Sequence, residues 1–248
     1  MKKPSFKMGE VKITIMVDDL NCAKEGYILS YGFAALIEVN DKIILFDSGS
    51  KVRPLISNLN KYGLNPSSID LTILSHNHFD HTDGLPGILK QNKDMPVYVH
   101  KQWNIPVSYK GIPIPPKNMV INQNARECVE IVNGLFLTNS YLSSDYGGIH
   151  EHAAYIQYEN SVILICGCCH PGLNTFLYDR QILEIPLEKP LHIIGGMHSF
   201  KFSSQKAYEL NPTIKSITLF HCTENIKIFQ EQFKTKCQVG IVGKTMEF

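Results

Sequence analysis

Apolar and polar positions alternate along 11–17, and that period of two predicts a strand. Two more strands are predicted at 31–39 and 42–46, joined by Asn40-Asp41 as a tight hairpin turn. Asp47-Ser48-Gly49-Ser50 then ends the run in a polar turn. Over 53–62 the period changes. Leu55, Ile56, Leu59 and Tyr62 fall at helical spacing, Pro54 suits a helix start and Gly63 a helix stop. A buried strand follows at 69–75, then a short helix at 84–89 and a strand at 96–100. Further strands are expected at 130–138, 153–158 and 161–166, the last two sharing a turn at Glu159-Asn160. The remainder reads as a helix at 174–178, a strand at 191–194, a helix at 204–210, a strand at 216–220, a helix at 225–233 and a final strand at 238–242. Strands come first and mixed strands and helices later, in two roughly matching halves. That order argues for sheets covered by helices rather than a pure barrel or bundle. The segment 105–116 carries Pro106, Pro113, Pro115 and Pro116. It is excluded from regular helix or central strand, which leaves a disordered loop or a lid over a site.

Bulk properties narrow the class only a little. The chain has 248 residues, 44% of them hydrophobic, which is enough for a sizeable core and is read as one domain over 1–248. The net charge of +1 comes with no basic or acidic block, so no nucleic-acid partner is expected. Seven cysteines form no disulfide framework and favour a reducing compartment. The basic start Met1-Lys2-Lys3 leads into no apolar signal core, and no stretch is long enough to span a membrane. A cytoplasmic protein acting on a small molecule is the expectation.

The chemistry is concentrated in His76-Asn77-His78-Phe79-Asp80-His81, directly after the strand at 69–75. His76 and His78 lie two apart on extended backbone and so point the same way. Asp80 and His81 turn into the loop. One metal can take the first pair and a second metal the other. Imidazole and carboxylate donors suit zinc, iron or manganese better than calcium. A dinuclear site needs about six protein ligands, so others must come from elsewhere. His170 and His221 each close a strand-like run, His198 follows Gly195-Gly196, and His150 and His152 precede the strand at 153–158. His100 and His192 sit in or at the start of strands and are read as structural. Cys166, Cys168 and Cys169 at a strand end suit packing, although a thiolate is also a good zinc or iron ligand.

His76-Asn77-His78-Phe79-Asp80-His81 resembles the HxHxDH signature of the metallo-β-lactamase superfamily, and Leu45-Phe46-Asp47-Ser48-Gly49 resembles its early strand and Asp-bearing turn. Gly167-Cys168-Cys169-His170-Pro171-Gly172, Gly195-Gly196-Met197-His198 and His221-Cys222-Thr223 are similar to the GCSHxG, GGFH and HCTG motifs of one branch. That branch is the 7,8-dihydropterin-6-methyl-4-(β-D-ribofuranosyl)-aminobenzene-5′-phosphate synthase-like proteins. The resemblance implies an α/β fold, a four-layer αββα sandwich with a metal pair at one edge of the sheets. It implies two divalent metal ions, zinc foremost, with iron or manganese as alternatives. His76 and His78 would hold the first, and Asp80, His81 and His221 the second. The third ligand of the first metal is His170 from the branch motif, with His152 as the alternative. Where many members place a bridging Asp, this chain has Cys168, so the bridge is Cys168, a water, or absent. Asp83 and Glu224 stand where the motifs often have Gly.

The implied reaction is hydrolysis of a small phosphoester or ester by hydroxide formed between the metals. Asp80 would orient the nucleophile, and His198 would hold a substrate phosphate or carboxylate or act as general acid. Asp47 would fix a ligand's tautomer or cap its own turn. Two other classes are weighed beside hydrolysis: a pterin-related synthase or transferase, and a non-enzymatic metal or redox module.

Overall fold

The computed structural model describes residues 10–121, 128–158 and 161–248. The turn expected at Glu159-Asn160 and the basic start lie outside these residues. Two seven-stranded sheets stack face to face. The first runs Thr245–Glu247, Lys12–Val17, Ala34–Val39, Lys42–Phe46, Leu71–Ile73, Val97–Val99 and Met119–Ile121. The second runs Cys237–Val239, Ile214–Leu219, Leu191–Gly195, Ser161–Cys166, Ala154–Tyr158, Leu135–Leu137 and Val129–Val132. Between them lies a core that includes Ile13, Ile37, Ile44, Phe46, Ile156, Ile163, Ile165 and Phe220, all at most 1% exposed. Helices Val52–Tyr62 and Leu85–Leu89 cover the outer face of the first sheet through Leu55, Leu59, Leu85 and Ile88. Helices Leu173–Ile182, Ser204–Leu210 and Ile226–Phe233 cover the second through Phe176, Ala207, Phe229 and Phe233. The architecture is the four-layer αββα sandwich. No helix among the described residues is long and apolar enough to cross a membrane.

Local rules account for several elements. Asn40 and Asp41 adopt φ of 47° and 60°, the left-handed pair that a tight hairpin turn requires. Gly63 ends its helix at φ 91°, and Ser203 caps the next-to-last helix by accepting a hydrogen bond from the Lys206 amide. Other expectations need correction. The strand expected over 130–138 is a hairpin, Val129–Val132 and Leu135–Leu137, because Gly134 turns the chain at φ 77°. The strand expected over 238–242 divides into Cys237–Val239 and Ile241–Val242, which pair in different sheets. Gly240 sits at the break with the Phe220 ring against its Cα, where no side chain fits.

The topology also decides where chemistry can gather. Lys42–Phe46 and Leu71–Ile73 are parallel neighbours, so their carboxyl ends release Asp47 and His76 side by side. Ser161–Cys166, Leu191–Gly195 and Ile214–Leu219 are parallel as well, and deliver Cys168, His170, His198 and His221 to the same edge. Loops at the carboxyl ends of parallel strands are the usual place for ligand sites in such sheets.

His192 lies away from that edge. Its Nδ1 is 2.7 Å from Ser216 Oγ and its ring meets the Phe248 ring edge-on at 4.8 Å. Burial pushes its pKa down to about 4 from an ordinary value of 6.5. The unfolded chain therefore binds more protons than the fold between these values, and stability rises with pH across that window. Acidification from pH 6.5 to 4 is expected to lower the urea midpoint, and His192→Gln is expected to flatten that fall. An identical slope in wild type and variant would contradict the assignment.

Candidate metal centre

His76, His78 and His170 converge on one point from two different sheets. One ligand atom from each lies within 4.8 Å of those of the other two. The Nε2 atoms of all three are buried and have no hydrogen-bond partner. Orphaned buried imidazole nitrogens are costly, and three that face one another need a shared electrophile. A second group, Asp80, His81 and His221, lies beside the first under the same criterion. Asp80 Oδ2 is 3.0 Å from His221 Nε2 and 3.9 Å from His81 Nε2. Cys168 connects the groups, because it clusters with His76 and His81 on one side and with His221 and Cys222 on the other. Its Sγ is 3.1 Å from His81 Nε2. The donor set of imidazole, carboxylate and thiol fits borderline divalent ions, and eight residues of this kind in one small volume fit a metal pair.

The outer nitrogen of most of these rings is held. Asp47 Oδ2 lies 2.7 Å from His81 Nδ1, Asp145 Oδ2 lies 3.0 Å from His170 Nδ1, and Asp19 Oδ1 lies 2.6 Å from His221 Nδ1. Ser75 Oγ is 2.9 Å from His76 Nδ1 and itself donates to Asp47 at 2.7 Å. A carboxylate on Nδ1 keeps the proton there and leaves Nε2 free to bind. Of the two readings of Asp47, the geometry shows the one in which it orients a histidine. It also accepts the Ser75 amide at 2.7 Å and is fully buried.

Burial and neighbouring charge tune these groups in opposite directions. Burial pushes His76 well below its ordinary value, His78 down to about 4 and His170 down to about 3. All three are neutral at pH 7, the form that binds metal. Burial opposes charge on His221 too, yet its hydrogen bonds to Asp19 and Asp80 push it up to about 10. Burial would raise Asp80, but the charges of His81 and His221 hold it well below the carboxylate range. Asp80 is thus ionised, and a metal at this position must displace a proton from His221.

The loop that carries Cys168 and His170 is organised by Glu151. Its carboxylate accepts the amides of Cys168, Cys169 and His170 at 3.0, 2.8 and 2.7 Å. Burial pushes Glu151 up to about 7. Neither Glu151 nor Asp145 carries a motif signal, since each is a lone carboxylate whose partner lies 17 or more residues along the chain. His152 sits apart from the cluster. Its Nε2 is 2.9 Å from the Leu74 carbonyl oxygen, and its ring packs edge-on to His100 at 5.6 Å.

Above these candidate metal-binding groups is an open cavity of about 350 Å3, bounded by Tyr31, Phe79, Tyr109, Tyr146, His198 and Cys222. His198 Nε2 lies 3.2 Å from the Tyr146 hydroxyl, and its Nδ1 lies 3.5 Å from Asp145. It stands at the wall of the cavity, outside both metal-binding groups. The proline-rich segment packs on the histidine loop. The Tyr109 carbonyl accepts the Phe79 amide at 2.9 Å, and Asp83 accepts the Ile112 amide at 2.9 Å. Asp83, at a position where the motif often has Gly, is thus one of the ties between the two loops. Six of the ten non-glycine residues with positive φ among the described residues surround this site: Asp47, Tyr109, Tyr146, Cys169, His198 and Cys222. Backbone strain gathers where side chains must be aimed. Gly32 approaches from the other side at φ 102°, and a Cβ there would run into the Asp80 carbonyl.

A buried histidine-carboxylate centre at one edge of an αββα sandwich defines a metallo-β-lactamase-type protein. The family model described as the metallo-beta-lactamase superfamily matches residues 28–138. A hydroxyacylglutathione hydrolase from Hamiltonella defensa is 36% identical over 75% of this chain and 69% of its own length. The chain belongs to the metallo-β-lactamase superfamily. Within it, the chain is 27% identical to the 7,8-dihydropterin-6-methyl-4-(beta-D-ribofuranosyl)-aminobenzene-5′-phosphate synthase of Methanocaldococcus jannaschii, over 98% of each protein. The fold matches the crystal structure of a metal-dependent hydrolase of the beta-lactamase superfamily at a TM-score of 0.72, with 21% identity over 96% of this chain and 99% of that one.

Proposed function

We propose that this protein is a dinuclear metal-dependent hydrolase of a small phosphoester or ester. The observation that carries the reading is the convergence of three unpaired buried Nε2 atoms beside the Asp80, His81 and His221 group, at the floor of an open cavity. His76, His78 and His170 would hold the first ion; Asp80, His81 and His221 the second; Cys168 would be the donor shared by both. A zinc, iron or manganese pair held there supplies Lewis acidity and lowers the pKa of water toward about 7.

The chain's own groups supply the rest. Asp80 is ionised and reaches the cavity, where it accepts a hydrogen bond from the attacking nucleophile and orients it. His198 faces the substrate space beside His170, their ring centroids 4.7 Å apart. Its Nε2, now 3.2 Å from the Tyr146 hydroxyl, is placed to donate a proton to a leaving oxygen or to hold a phosphate. Tyr31, Tyr109 and Tyr146 wall the space with apolar ring faces and polar hydroxyls, which suits a small substrate with an anionic group.

A second reading is pterin-related group transfer. It is favoured by the similarity to the synthase over 98% of both proteins. The two separate by experiment. Metal-loaded protein is expected to hydrolyse members of a p-nitrophenyl phosphomonoester, phosphodiester and carboxylic ester panel. Full metal content with no hydrolysis of any of them would sink the hydrolase reading and leave the transfer reading standing. Protein that retains no zinc, iron or manganese in the absence of chelator would sink both.

A further inference from the structure

We propose that Cys222 is a thiolate donor at the second metal position, so that this position binds through two sulfurs as well as nitrogen and oxygen. The inference rests on the metal reading above and assigns a residue that reading leaves in the cavity wall.

Cys222 Sγ lies 3.0 Å from Cys168 Sγ. That is far longer than a disulfide bond of about 2.05 Å, and both thiols are free. It is also closer than two unbonded sulfurs settle by packing alone. One ligand atom from each of Cys168, His221 and Cys222 falls within 4.8 Å of the other two. His221 belongs at the same time to the group with Asp80 and His81, so the two groups adjoin through a shared imidazole.

The local backbone is built to aim this sulfur. Cys222 adopts φ 61°, a left-handed conformation unfavourable for a residue with a side chain. It is held there from both sides. Thr223 Oγ1 donates to the Phe220 carbonyl at 2.7 Å and accepts the Met197 amide at 3.1 Å, while the Glu224 amide donates to the His198 carbonyl at 3.0 Å. Space for the sulfur comes from Gly196. A Cβ there would lie 2.8 Å from Cys222 Sγ and would strike the His221 and Gly167 carbonyls. Strain and a cleared approach are spent on directing one thiol at one point.

Two thiolates change what the position selects. Thiolate favours zinc and ferrous iron over manganese and magnesium, which prefer oxygen. Binding requires each thiol to release its proton to solvent as its sulfur–metal bond forms.

Cobalt(II) provides the test, because thiolate ligation gives an intense near-ultraviolet charge-transfer absorption independent of turnover. The full-length protein would be stripped with chelator, reloaded with cobalt and assayed for cobalt by elemental analysis. Wild type is expected to show the band, Cys222→Ser and Cys168→Ser each to keep about half of it, and the double variant none, since each thiolate contributes separately. A Cys222→Ser spectrum equal to wild type at equal cobalt content overturns the inference and leaves the metal reading intact. No cobalt uptake by wild type overturns both. Should the serine variants fail to fold, alkylation of native wild type decides. Bound zinc is expected to protect Cys222 from iodoacetamide, read by peptide mass spectrometry. Equal alkylation with and without zinc, at confirmed zinc content, overturns the inference.

Discussion

His76→Ala is expected to abolish stoichiometric binding at the first proposed metal position, leaving no more than one metal per chain where wild type is expected to hold two. His76 is fully buried, and its Nε2 has no hydrogen-bond partner. Loss of a group that merely supports a ligand already costs roughly 10–100-fold in metal affinity, so loss of the ligand itself exceeds that. Hydrolytic turnover is expected to fall with occupancy. Stability separates a ligand from a packing residue. A metal at 100 times its dissociation constant stabilises wild type by about 2.7 kcal/mol. Chelator is therefore expected to lower the wild-type Tm and to have a much smaller effect on the variant. In chelator the two proteins are expected to lie close together, because alanine removes a buried unpaired nitrogen as well as a packed ring. A variant as metal-rich as wild type would show that the histidine cluster is not the binding site.

The second large effect is at Asp47. Its carboxylate serves the Ser75 amide, the Ser75 hydroxyl and His81 Nδ1, all at 2.7 Å and with no access to water. Asp47→Ala leaves these donors without an acceptor, at a cost of about 3–5 kcal/mol, the range for breaking one side of a buried pair. Asp47→Asn separates folding from chemistry. The amide oxygen can still accept from the Ser75 amide. The amide nitrogen then faces His81 Nδ1 as a donor, which drives the imidazole proton to Nε2 and towards the metal. A modest stability loss with a 10–100-fold loss of metal affinity is expected, measured by urea unfolding in chelator and by competition titration with zinc. Equal loss of stability in both variants, with metal affinity unchanged in Asp47→Asn, would reduce Asp47 to a structural acceptor.

The first expectation comes from a motif that is contiguous in the chain, and this is where the sequence was informative. His76, His78, Asp80 and His81 fall within six residues, so strand alternation and one turn suffice to bring them together. His170 and His221 were legible because each closes an apolar run, and a residue that ends a buried strand emerges at a sheet edge. The helix at Ser204–Leu210 and the hairpin at Asn40-Asp41 were legible for a similar reason: capping and turn chemistry act over two to four residues.

What escaped has the opposite character. Thr245–Glu247 is a strand only because Lys12–Val17, at the far end of the chain, offers it an edge. A three-residue segment has no period to detect. Glu151, Asp145 and Asp19 hold the Cys168 loop, His170 and His221, yet each pairing spans 17 residues or more. The signal for Asp19 was available in principle, because Asp18-Asp19 follows a buried strand much as His76 does.

The amino-acid sequence determined by itself the strand and helix periods, the donor types and the family motifs, because all of these depend on residues near one another in the chain. It left open whether His170 or His152 joins the cluster of His76 and His78, and whether the proline-rich segment packs on the histidine loop. Only the tertiary structure decided them. It turned His152 Nε2 to the Leu74 carbonyl, aimed His170 Nε2 at the cluster, and tied Ile112 to Asp83. The physical reason is that a ligand is defined by where its lone pair points. That direction is set by parallel strands from two sheets and by buried carboxylates on the outer nitrogens, and no local rule of sequence encodes such contacts.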